Sequence, residues 1–370
     1  SSFGYCTSTD VLIIDSTLPD ITNIYPTALD IAYKQGTDQI IVRFTYTEMY
    51  PQTTTVSLYD SLGASLVSTT TTLPATPITG GTDLLASATL IFSGLSDGVC
   101  PVTVSILDMS GNLNTCTSPK SVIIDSTKAT VTVISAIPQY AKSGTNIEVV
   151  FTYSEQNPNT ATVAIGTAGT TYGSITNIVI GTSGTNVYVT TTVTLFNAGP
   201  DGTLAVTVYV GDKVGNVGTD SKDLILFDNN PPDIVNLYPI ALNKAYRKGT
   251  DTLIVQFTYT EMTPRTCTVS ILDNANSVVT ETTTTDPSTF LPAGTNQNGS
   301  ATLNFTDVAN GTYTVRVMME DGASSFGYCT STDCLIIDNT LPTLEVYSGQ
   351  DAVWYKAGTG TLTIYYTYTE

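Results

Sequence analysis

The sequence contains no histidine and few positive charges. Its 370 residues include 13 Lys and Arg against 32 Asp and Glu, which gives a net charge of −19. The commonest general base and the commonest transition-metal ligand are therefore missing. The lack of a cationic surface argues against binding to nucleic acid or to an anionic membrane. An acidic surface of this kind suits solubility, self-repulsion or cation binding.

Motifs for catalysis and for membrane insertion are also missing. No nucleophile elbow, phosphate loop or dinucleotide fingerprint occurs, and the glycines at 166–169 and 181–184 are typical of hairpin tips. No apolar run reaches the roughly 18 residues of a membrane helix, and no signal peptide is visible. From these absences we predict a protein that is not an enzyme and has no membrane span within this sequence.

The residues that are abundant favour β-strands. Apolar residues make up 41% of the chain and charged residues only 12%, and Thr, Ser, Val, Ile and Tyr fill much of the remainder. Branched and aromatic side chains pack well on a pleated surface. No helical period extends over a dozen residues. The length allows two to four domains, each with its own core.

A motif centred on aspartate recurs four times. Ile13-Ile14-Asp15-Ser16-Thr17 has counterparts around Asp125, Asp228 and Asp338, at spacings of 110, 103 and 110 residues. About 100 residues is the size of one immunoglobulin-like sandwich. A strand ending in glutamate follows each motif, at 44–48, 151–155, 257–261 and 366–370. A hairpin with Gly and Asn or Asp at its turns precedes the last three motifs, at 97–112, 201–216 and 310–322.

These repeats divide the chain into five segments. We expect the last strand of a preceding domain at 1–17, complete domains at 18–127, 128–230 and 231–340, and the first strands of a following domain at 341–370. Residues 1–15 match 324–338 with one change, Val11 to Cys334, which indicates duplication of a three-domain block. We therefore expect a parent protein with further domains at both ends.

Alternating patterns within each segment predict a β-sandwich. In 231–340 they predict seven strands, near 233–238, 252–260, 267–273, 277–284, 300–305, 312–319 and 328–337. Short strands separated by turn signals are typical of sandwiches. We therefore predict an all-β fold of tandem immunoglobulin-like antiparallel β-sandwiches with about seven strands each. Short linkers with proline, such as Pro19 and Pro232, favour a stiff rod.

The pattern Asp-x-x-Gly-Asn, followed after about ten residues by Ile-Ile-Asp-Ser-Thr-x-Pro, resembles bacterial and archaeal immunoglobulin-like repeats. Residues 108–112 with 123–127, and 212–216 with 226–232, carry this resemblance. Such repeats build large adhesins, surface-layer proteins and extracellular fibres. The third complete domain departs from the pattern, because Gly322-Ala323-Ser324 follows Asp321. The resemblance indicates architecture more strongly than function, since this fold serves many roles.

The recurring aspartates are candidate ligands for calcium at the domain junctions. Some adhesin repeats that the chain resembles hold Ca²⁺ with such residues, and Ca²⁺ prefers six to eight oxygen ligands. The alternative is that the aspartates only stabilise turns through nearby backbone N–H groups. The candidates are Asp15, Asp108, Asp125, Asp212, Asp228, Asp321 and Asp338.

Two further residues recur once per domain. For the glutamates Glu48, Glu155, Glu261 and Glu370 we expect a structural role, as a junction hydrogen bond or as a ligand of the same cation. For Tyr46, Tyr153, Tyr259 and Tyr368 we expect packing at the sandwich edge with the hydroxyl bonded to backbone. A tyrosine-lined sugar-binding face is the alternative.

Cysteines and glycosylation sequons are consistent with an oxidising, extracellular compartment. Cys100 and Cys116 lie on one predicted hairpin and are candidates for a bridge. Cys267 has Cys329 or Cys334 as candidate partners, and Cys6 has none within this sequence. Reduced, buried thiols are the alternative. Candidate N-glycosylation sites in Asn-x-Ser/Thr sequons are Asn298, Asn304 and Asn310.

These observations predict a structural role outside the cell or on its surface. The first hypothesis is a rigid stalk or filament that assembles with copies of itself, by strand complementation between subunits. The second is the stalk of a large adhesin that binds a host, a cell or glycans through parts outside this sequence, or through loops such as 74–85 and 286–299. The third is an accessory region of a carbohydrate-active enzyme, which requires a catalytic domain elsewhere.

Overall fold

The computed structural model describes residues 9, 12–26, 32–34, 36, 38–60, 62–70, 78–238, 245–283, 291–332, 335–346, 357–358 and 363–370. The first complete repeat, unit 1, folds into eight strands. They are β1 (Asp20–Pro26), β2 (Ala32–Tyr33), β3 (Gln39–Glu48), β4 (Pro51–Tyr59), β5 (Ser65–Thr70), β6 (Gly81–Ile91), β7 (Gly98–Asp108) and β8 (Leu113–Ile124).

The strands of unit 1 form two packed sheets. One sheet has the order β1-β3-β6 and the other has the order β2-β8-β7-β4-β5. All neighbours are antiparallel except β2 and β8, which run parallel. The first strand, β1, thus belongs to one sheet, and the short strand β2 that follows it belongs to the other. This is the two-sheet arrangement of an immunoglobulin-like sandwich, as predicted.

Units 2 and 3 repeat the same topology. The strands of unit 2 are β9 (Thr130–Ile137), β10 (Tyr140–Ala141), β11 (Asn146–Glu155), β12 (Pro158–Thr167), β13 (Thr170–Val179), β14 (Gly184–Thr194), β15 (Gly202–Asp212) and β16 (Val217–Phe227). Those of unit 3 are β17 (Asp233–Tyr238), β18 (Ala245–Tyr246), β19 (Thr252–Glu261), β20 (Pro264–Leu272), β21 (Val278–Thr283), β22 (Gly294–Asn304), β23 (Gly311–Asp321), β24 (Phe326–Thr330) and β25 (Leu335–Ile337).

The structure adds one short strand to the seven predicted for each unit. This strand is β2, β10 or β18, and it pairs in parallel with the last strand of its unit. Two residues are too few to produce an alternating pattern, so no signal in the sequence marks this strand. In unit 3 the predicted last strand, 328–337, is divided into β24 and β25.

Each unit encloses its own hydrophobic core between the two sheets. In β11, for example, the side chains of Ile147, Val149, Phe151 and Tyr153 are all buried. Burial of one such side chain stabilises the fold by about 1.5–3 kcal/mol. The described residues of 341–370 add an antiparallel pair, β26 (Thr343–Val346) with β27 (Tyr366–Thr369). Within the part of the chain that the structure describes, no helix has the length and apolar character needed to cross a membrane.

Candidate metal centre

The inward alternation of two strands places carboxylates at one end of each sandwich. In unit 2, the buried positions of β11 continue from Tyr153 to Glu155, its last residue. The buried positions of β15 likewise continue to Asp212, its last residue. Both side chains therefore point to the core side but lie at the end of the unit. The aspartate that ends the preceding unit, Asp125, reaches the same point.

Three clusters of this kind recur among the residues that the structure describes. Each combines one aspartate from the preceding segment with a glutamate and an aspartate of the following unit, with carboxylate oxygens within 4.8 Å of one another. They are cluster 1 (Asp15, Glu48, Asp108), cluster 2 (Asp125, Glu155, Asp212) and cluster 3 (Asp228, Glu261, Asp321). Every member is buried except Asp15, which is half-buried. Six of the seven aspartates predicted from the sequence thus lie in these clusters, two in each.

Hydrogen bonds from uncharged amide groups cross the junction at cluster 2. Asn157 of unit 2 donates its Nδ2 to Oδ2 of Asp125 at 2.7 Å. Asn216 donates its Nδ2 to the backbone carbonyl of Asp125 at 3.4 Å. The Glu155 carboxylate accepts the backbone N–H groups of Gln156 and Asn157 through Oε1. Unit 1 and unit 2 are therefore joined by polar contacts around three acidic groups.

The hairpin aspartates also stabilise turns, as the alternative interpretation predicted. Oδ1 of Asp108 accepts the backbone N–H groups of Ser110 and Asn112, each at 2.8 Å. Oδ2 accepts Nδ2 of Asn112 at 2.7 Å. Burial alone would raise the pKa of Asp108, but these bonds and one from Gly111 lower it below its ordinary value. A turn role and a ligand role are thus compatible in the same side chain.

Cluster 3 has an oxygen with no hydrogen-bond partner among the residues that the structure describes. Asp321 is 0% exposed, and its Oδ1 accepts the Ser325 backbone N–H at 2.7 Å. Its Oδ2 is buried without a hydrogen-bond partner. Such a group bears a desolvation cost of about 1–3 kcal/mol or more, which a bound cation would offset.

The pKa values in these clusters reflect burial among like charges. Burial raises the pKa of Glu261 to about 7, and the Asp228 and Asp321 carboxylates add to this shift while the Thr263 N–H opposes it. Burial also raises the pKa of Asp321, again with a contribution from Asp228. In cluster 2, burial raises the pKa of Glu155, and Asp125 and Asp212 contribute. Ionisation of all three carboxylates therefore calls for a compensating positive charge.

The donor set fits a hard divalent cation. All three groups offer carboxylate oxygens, which Ca²⁺ and Mg²⁺ prefer to nitrogen or sulfur ligands. Two oxygens bound to one Ca²⁺ ion lie at most about 5 Å apart, and the carboxylate oxygens of each cluster lie within 4.8 Å of one another. The orphaned Oδ2 of Asp321 supplies a ligand atom that is already free of protein hydrogen bonds.

The remaining predicted aspartate, Asp338, belongs to no cluster among the described residues. Its Oδ1 accepts the backbone N–H of Thr340 at 2.8 Å, and bonds from Thr340 lower its pKa. The glutamates Glu48, Glu155 and Glu261 were expected to be structural, and their recurrence at the end of a strand was the signal that they share a site with the aspartates.

The recurring tyrosines of the three complete units are packed in the cores. Tyr46, Tyr153 and Tyr259 donate their hydroxyls to the carbonyls of Thr79, Thr182 and Pro292 at 2.7–2.9 Å. All three are buried, so they do not form a sugar-binding face. The predicted bond from the hydroxyl to backbone is confirmed for these three, but they pack in the core rather than at the sandwich edge, and the fourth, Tyr368, is 68% exposed.

The bridge expected between Cys100 and Cys116 is not formed. The hairpin register places Cys100 opposite Val122 and Cys116 opposite Val104. The two cysteines are thus four residues out of register, or about 13 Å apart along the strands, which is too far for a disulfide. Cys100, Cys116, Cys267 and Cys329 all have free thiols.

Unit 3 shows the same result for its described cysteines. Cys267 and Cys329 lie on β20 and β24, on opposite sides of β23. They are therefore about 10 Å apart, which excludes a bond between them. Burial raises the pKa of Cys267 to about 12, so its thiol stays protonated at neutral pH. Cys6 and Cys334 lie outside the described residues.

The three sequons differ in how accessible their amides are. Asn298 and Asn304 are exposed on β22. Asn310 donates its Nδ2 to Thr340 and Asp338, and its Oδ1 accepts the Asn339 N–H. Of the loops considered for ligand binding, 74–77 and 286–290 lie outside the described residues. Residues 81–85 and 294–299 belong to strands β6 and β22, so that part of the prediction was wrong.

Comparison with known proteins gives similarity to solved structures only. No protein-family model and no curated protein matches the chain. A tetra-tandem repeat from the extending region of a large adhesion protein is 21% identical, with 86% of this chain and 77% of that chain covered and a TM-score of 0.31. A 1.5-MDa bacterial ice-binding adhesin is 16% identical, with 88% and 100% covered and a TM-score of 0.39.

An ectodomain fragment of ICAM-5, domains D1–D4, is also similar. It is 10% identical, with 90% of this chain and 79% of that chain covered and a TM-score of 0.31. At such scores the fold assignment rests on the strand order and pairing of the chain itself. The solved structures that resemble this all-β chain include tandem repeat regions of large adhesins and ectodomains built of immunoglobulin domains.

Proposed function

We propose that this chain is a non-catalytic, rigid segment of an extracellular filament or cell-surface stalk whose junctions bind Ca²⁺. The observation that carries the proposal is the composition of the clusters. Each takes one carboxylate from the preceding segment and two from the following unit. An ion bound there would contact both sides of the junction and restrict their relative motion.

Calcium binding is tested first on the whole chain by isothermal titration calorimetry. We expect three sites to be filled, because three clusters of equivalent composition are present. A matched variant replaces Asp125 by Asn, which keeps the size of the side chain and removes one charge from cluster 2. It should lose one site of the three. Titration that releases no heat, together with an unchanged unfolding midpoint on chelation, would contradict the proposal.

The mechanical part of the proposal is tested by small-angle X-ray scattering. With Ca²⁺ present, the maximum dimension should correspond to three units in line. Chelation with EGTA should broaden the distribution of interatomic distances, since bending at the junctions becomes easier. An identical scattering curve in both conditions would mean that the clusters do not control stiffness.

Assembly by strand complementation is the finer form of this proposal. β26 and β27 form a two-stranded sheet on which Leu344, Val346, Tyr366 and Tyr368 are each more than half exposed. In the proposed assembly, a strand from another subunit would pair with an open sheet edge. Electron microscopy of the native material should show fibres of uniform width. Separate rods that dissolve to one very large band on a gel would favour an adhesin stalk instead.

A further inference from the structure

The turn between the last two strands differs among the three units. In units 1 and 2 the fourth residue after the hairpin aspartate is asparagine, Asn112 or Asn216. Its Nδ2 donates to Oδ2 of Asp108 or Asp212 at 2.7 Å. In both units, both carboxylate oxygens of the hairpin aspartate therefore accept hydrogen bonds from the protein.

The same asparagines also donate across the junction. Asn112 Nδ2 lies 3.3 Å from the backbone carbonyl of Asp15, and Asn216 Nδ2 lies 3.4 Å from that of Asp125. One neutral amide thus connects the hairpin aspartate of a unit to the aspartate of the preceding segment. This link needs no ion.

Unit 3 has serine at this position, and the link is lost. Ser325 donates its backbone N–H to Oδ1 of Asp321, and its side chain also bonds this carboxylate, but neither bond satisfies Oδ2. Oδ2 of Asp321 is left buried without a partner. The Ser325 hydroxyl also accepts a hydrogen bond from Nζ of Lys142 of unit 2 at 3.1 Å, and the same Nζ donates to the Ser324 carbonyl, but neither bond reaches Oδ2 of Asp321.

A single hydroxyl connects Asp228 to the carboxylates of unit 3 on the other side of cluster 3. Thr263 Oγ1 donates to Oδ2 of Asp228 at 2.6 Å and lies 3.5 Å from Oε1 of Glu261. In cluster 2 the corresponding residue is Asn157, which donates its amide to Asp125. Cluster 3 therefore has three buried carboxylates and no carboxamide among these contacts, so it has fewer neutral donors than cluster 2.

We infer that the junction between units 2 and 3 is the calcium-dependent joint of the chain, whereas the junction between units 1 and 2 keeps its geometry without the ion. This inference rests on the proposed calcium binding and adds that the sites have unequal consequences. At cluster 3 the ion supplies the partner that Asp321 Oδ2 lacks. At cluster 2 the amide of Asn216 already fills that place.

The test is hydrogen exchange of the whole chain, followed by mass spectrometry, with Ca²⁺ and with EGTA. Peptides that cover 228–233, 261–264 and 321–325 report on cluster 3, and those that cover 125–130, 155–158 and 212–216 report on cluster 2. Removal of Ca²⁺ should speed exchange about tenfold or more at cluster 3. At cluster 2 the change should stay below about threefold.

Two reciprocal variants sharpen the test. Ser325→Asn restores the amide and should reduce the response of cluster 3 to that of cluster 2. Asn216→Ser removes the amide and should give cluster 2 the tenfold response. If Asn216→Ser fails to fold, the wild-type contrast and Ser325→Asn still decide the matter.

The outcomes separate this inference from the proposed function. Equal responses at both junctions in the wild-type chain, or an undiminished response in Ser325→Asn, would overturn the inference while calcium binding stands. The absence of calorimetric binding and of any change in exchange would overturn both. The inference is supported if removal of Ca²⁺ speeds exchange strongly at cluster 3 alone and the Ser325→Asn variant loses this effect.

Discussion

The three complete units share residue types in their cores but differ in the residues around their junctions. In the cores the same residue types recur at equivalent positions: Phe44, Phe151 and Phe257 are buried in the second full-length strand of each unit. At the junctions the carboxylates recur, but their neutral partners differ. Asn157 is replaced by Thr263 in the next unit, and Asn216 is replaced by Ser325.

This difference shows which features define the unit and which adjust its connections. A core is stabilised by non-directional burial, and any loss of volume leaves a cavity. A junction is stabilised by a few directional bonds among buried charges, whose strength changes with one amide or hydroxyl. Equivalent folds can therefore be joined by junctions of unequal strength.

Loss of a core phenylalanine should have the largest effect. Phe151→Ala should destabilise unit 2 by about 3–5 kcal/mol, because the cavity adds to the lost burial. The exchange of core amides in β11 and β15 measures this. Phe44→Ala and Phe257→Ala should have the same effect on units 1 and 3, and Ca²⁺ should not change the ranking. If the destabilisation caused by any of the three substitutions depended strongly on Ca²⁺, the cores and the junctions would not be stabilised independently.

Loss of a hairpin aspartate should have the next largest effect. Asp212→Ala leaves the backbone N–H groups of Val214 and Asn216 without their acceptor, at a cost of about 2–3 kcal/mol. Unfolding of unit 2 in urea measures the loss. The control is Asp223→Ala, an exposed aspartate of the same unit, which should change stability by less than about 0.5 kcal/mol. Similar values for the two variants would mean that Asp212 does not stabilise its turn.

The stability of unit 3 without Ca²⁺ should fall as the pH rises. The pKa of Glu261 is raised from 4.5 to about 7 by burial and by Asp228 and Asp321. When folding raises the pKa of a carboxyl, its contribution to the free energy of unfolding is fully present below about pH 4.5, where both states bind the proton. This contribution falls as the pH rises and is lost once the pH has passed 7. We expect a loss of roughly 2 kcal/mol between pH 5 and pH 8, measured by thermal unfolding in EGTA.

Glu261→Gln is the control for this pH effect. Glutamine cannot ionise, so the variant should lose most of the decline between pH 5 and pH 8. Ca²⁺ should do the same for the wild-type chain, since the ion stabilises the ionised carboxylates. A variant that retained the full decline would assign the effect to other groups.

Loss of a tyrosine hydroxyl should have the smallest effect. Tyr153→Phe removes the hydrogen bond to the Thr182 carbonyl and should cost about 1 kcal/mol. Thermal unfolding of unit 2 measures it, and Tyr46→Phe and Tyr259→Phe should match it in the other units. A much larger cost at one position would mean that the units are less equivalent in their cores than their sequences indicate.

The fold was predictable from the sequence because a half-buried β-strand produces a visible alternation of apolar and polar residues. The buried run from Ile147 to Tyr153 is visible as alternating apolar residues, and the recurrence of Asp125 and Asp228 reveals the repeat length. The short strand Tyr140–Ala141 was not predictable, because two residues are too few to show an alternating pattern.

The candidate site was predictable only in part. Recurrence identified Asp108 and Asp125, but their convergence with Glu48 and Glu155 depends on which face of a strand each occupies at its last residue. That requires the register, which also decided against a bridge between Cys100 and Cys116. The orphaned oxygen of Asp321 was not predictable, since it results from the length of one neighbouring side chain.

The short parallel strands have a consequence for how the chain bears load. In unit 2 the backbone N–H of Asp228 donates to the Ala141 carbonyl at 2.8 Å, while its carboxylate lies in cluster 3. In the proposed stalk or filament, tension would pull β10 and β16 in opposite directions parallel to their own axes, so their hydrogen bonds would be sheared together rather than broken one by one. Asp228 therefore belongs both to the end of this strand pair and to the junction with unit 3, so substitutions around it should change how the two units respond to tension.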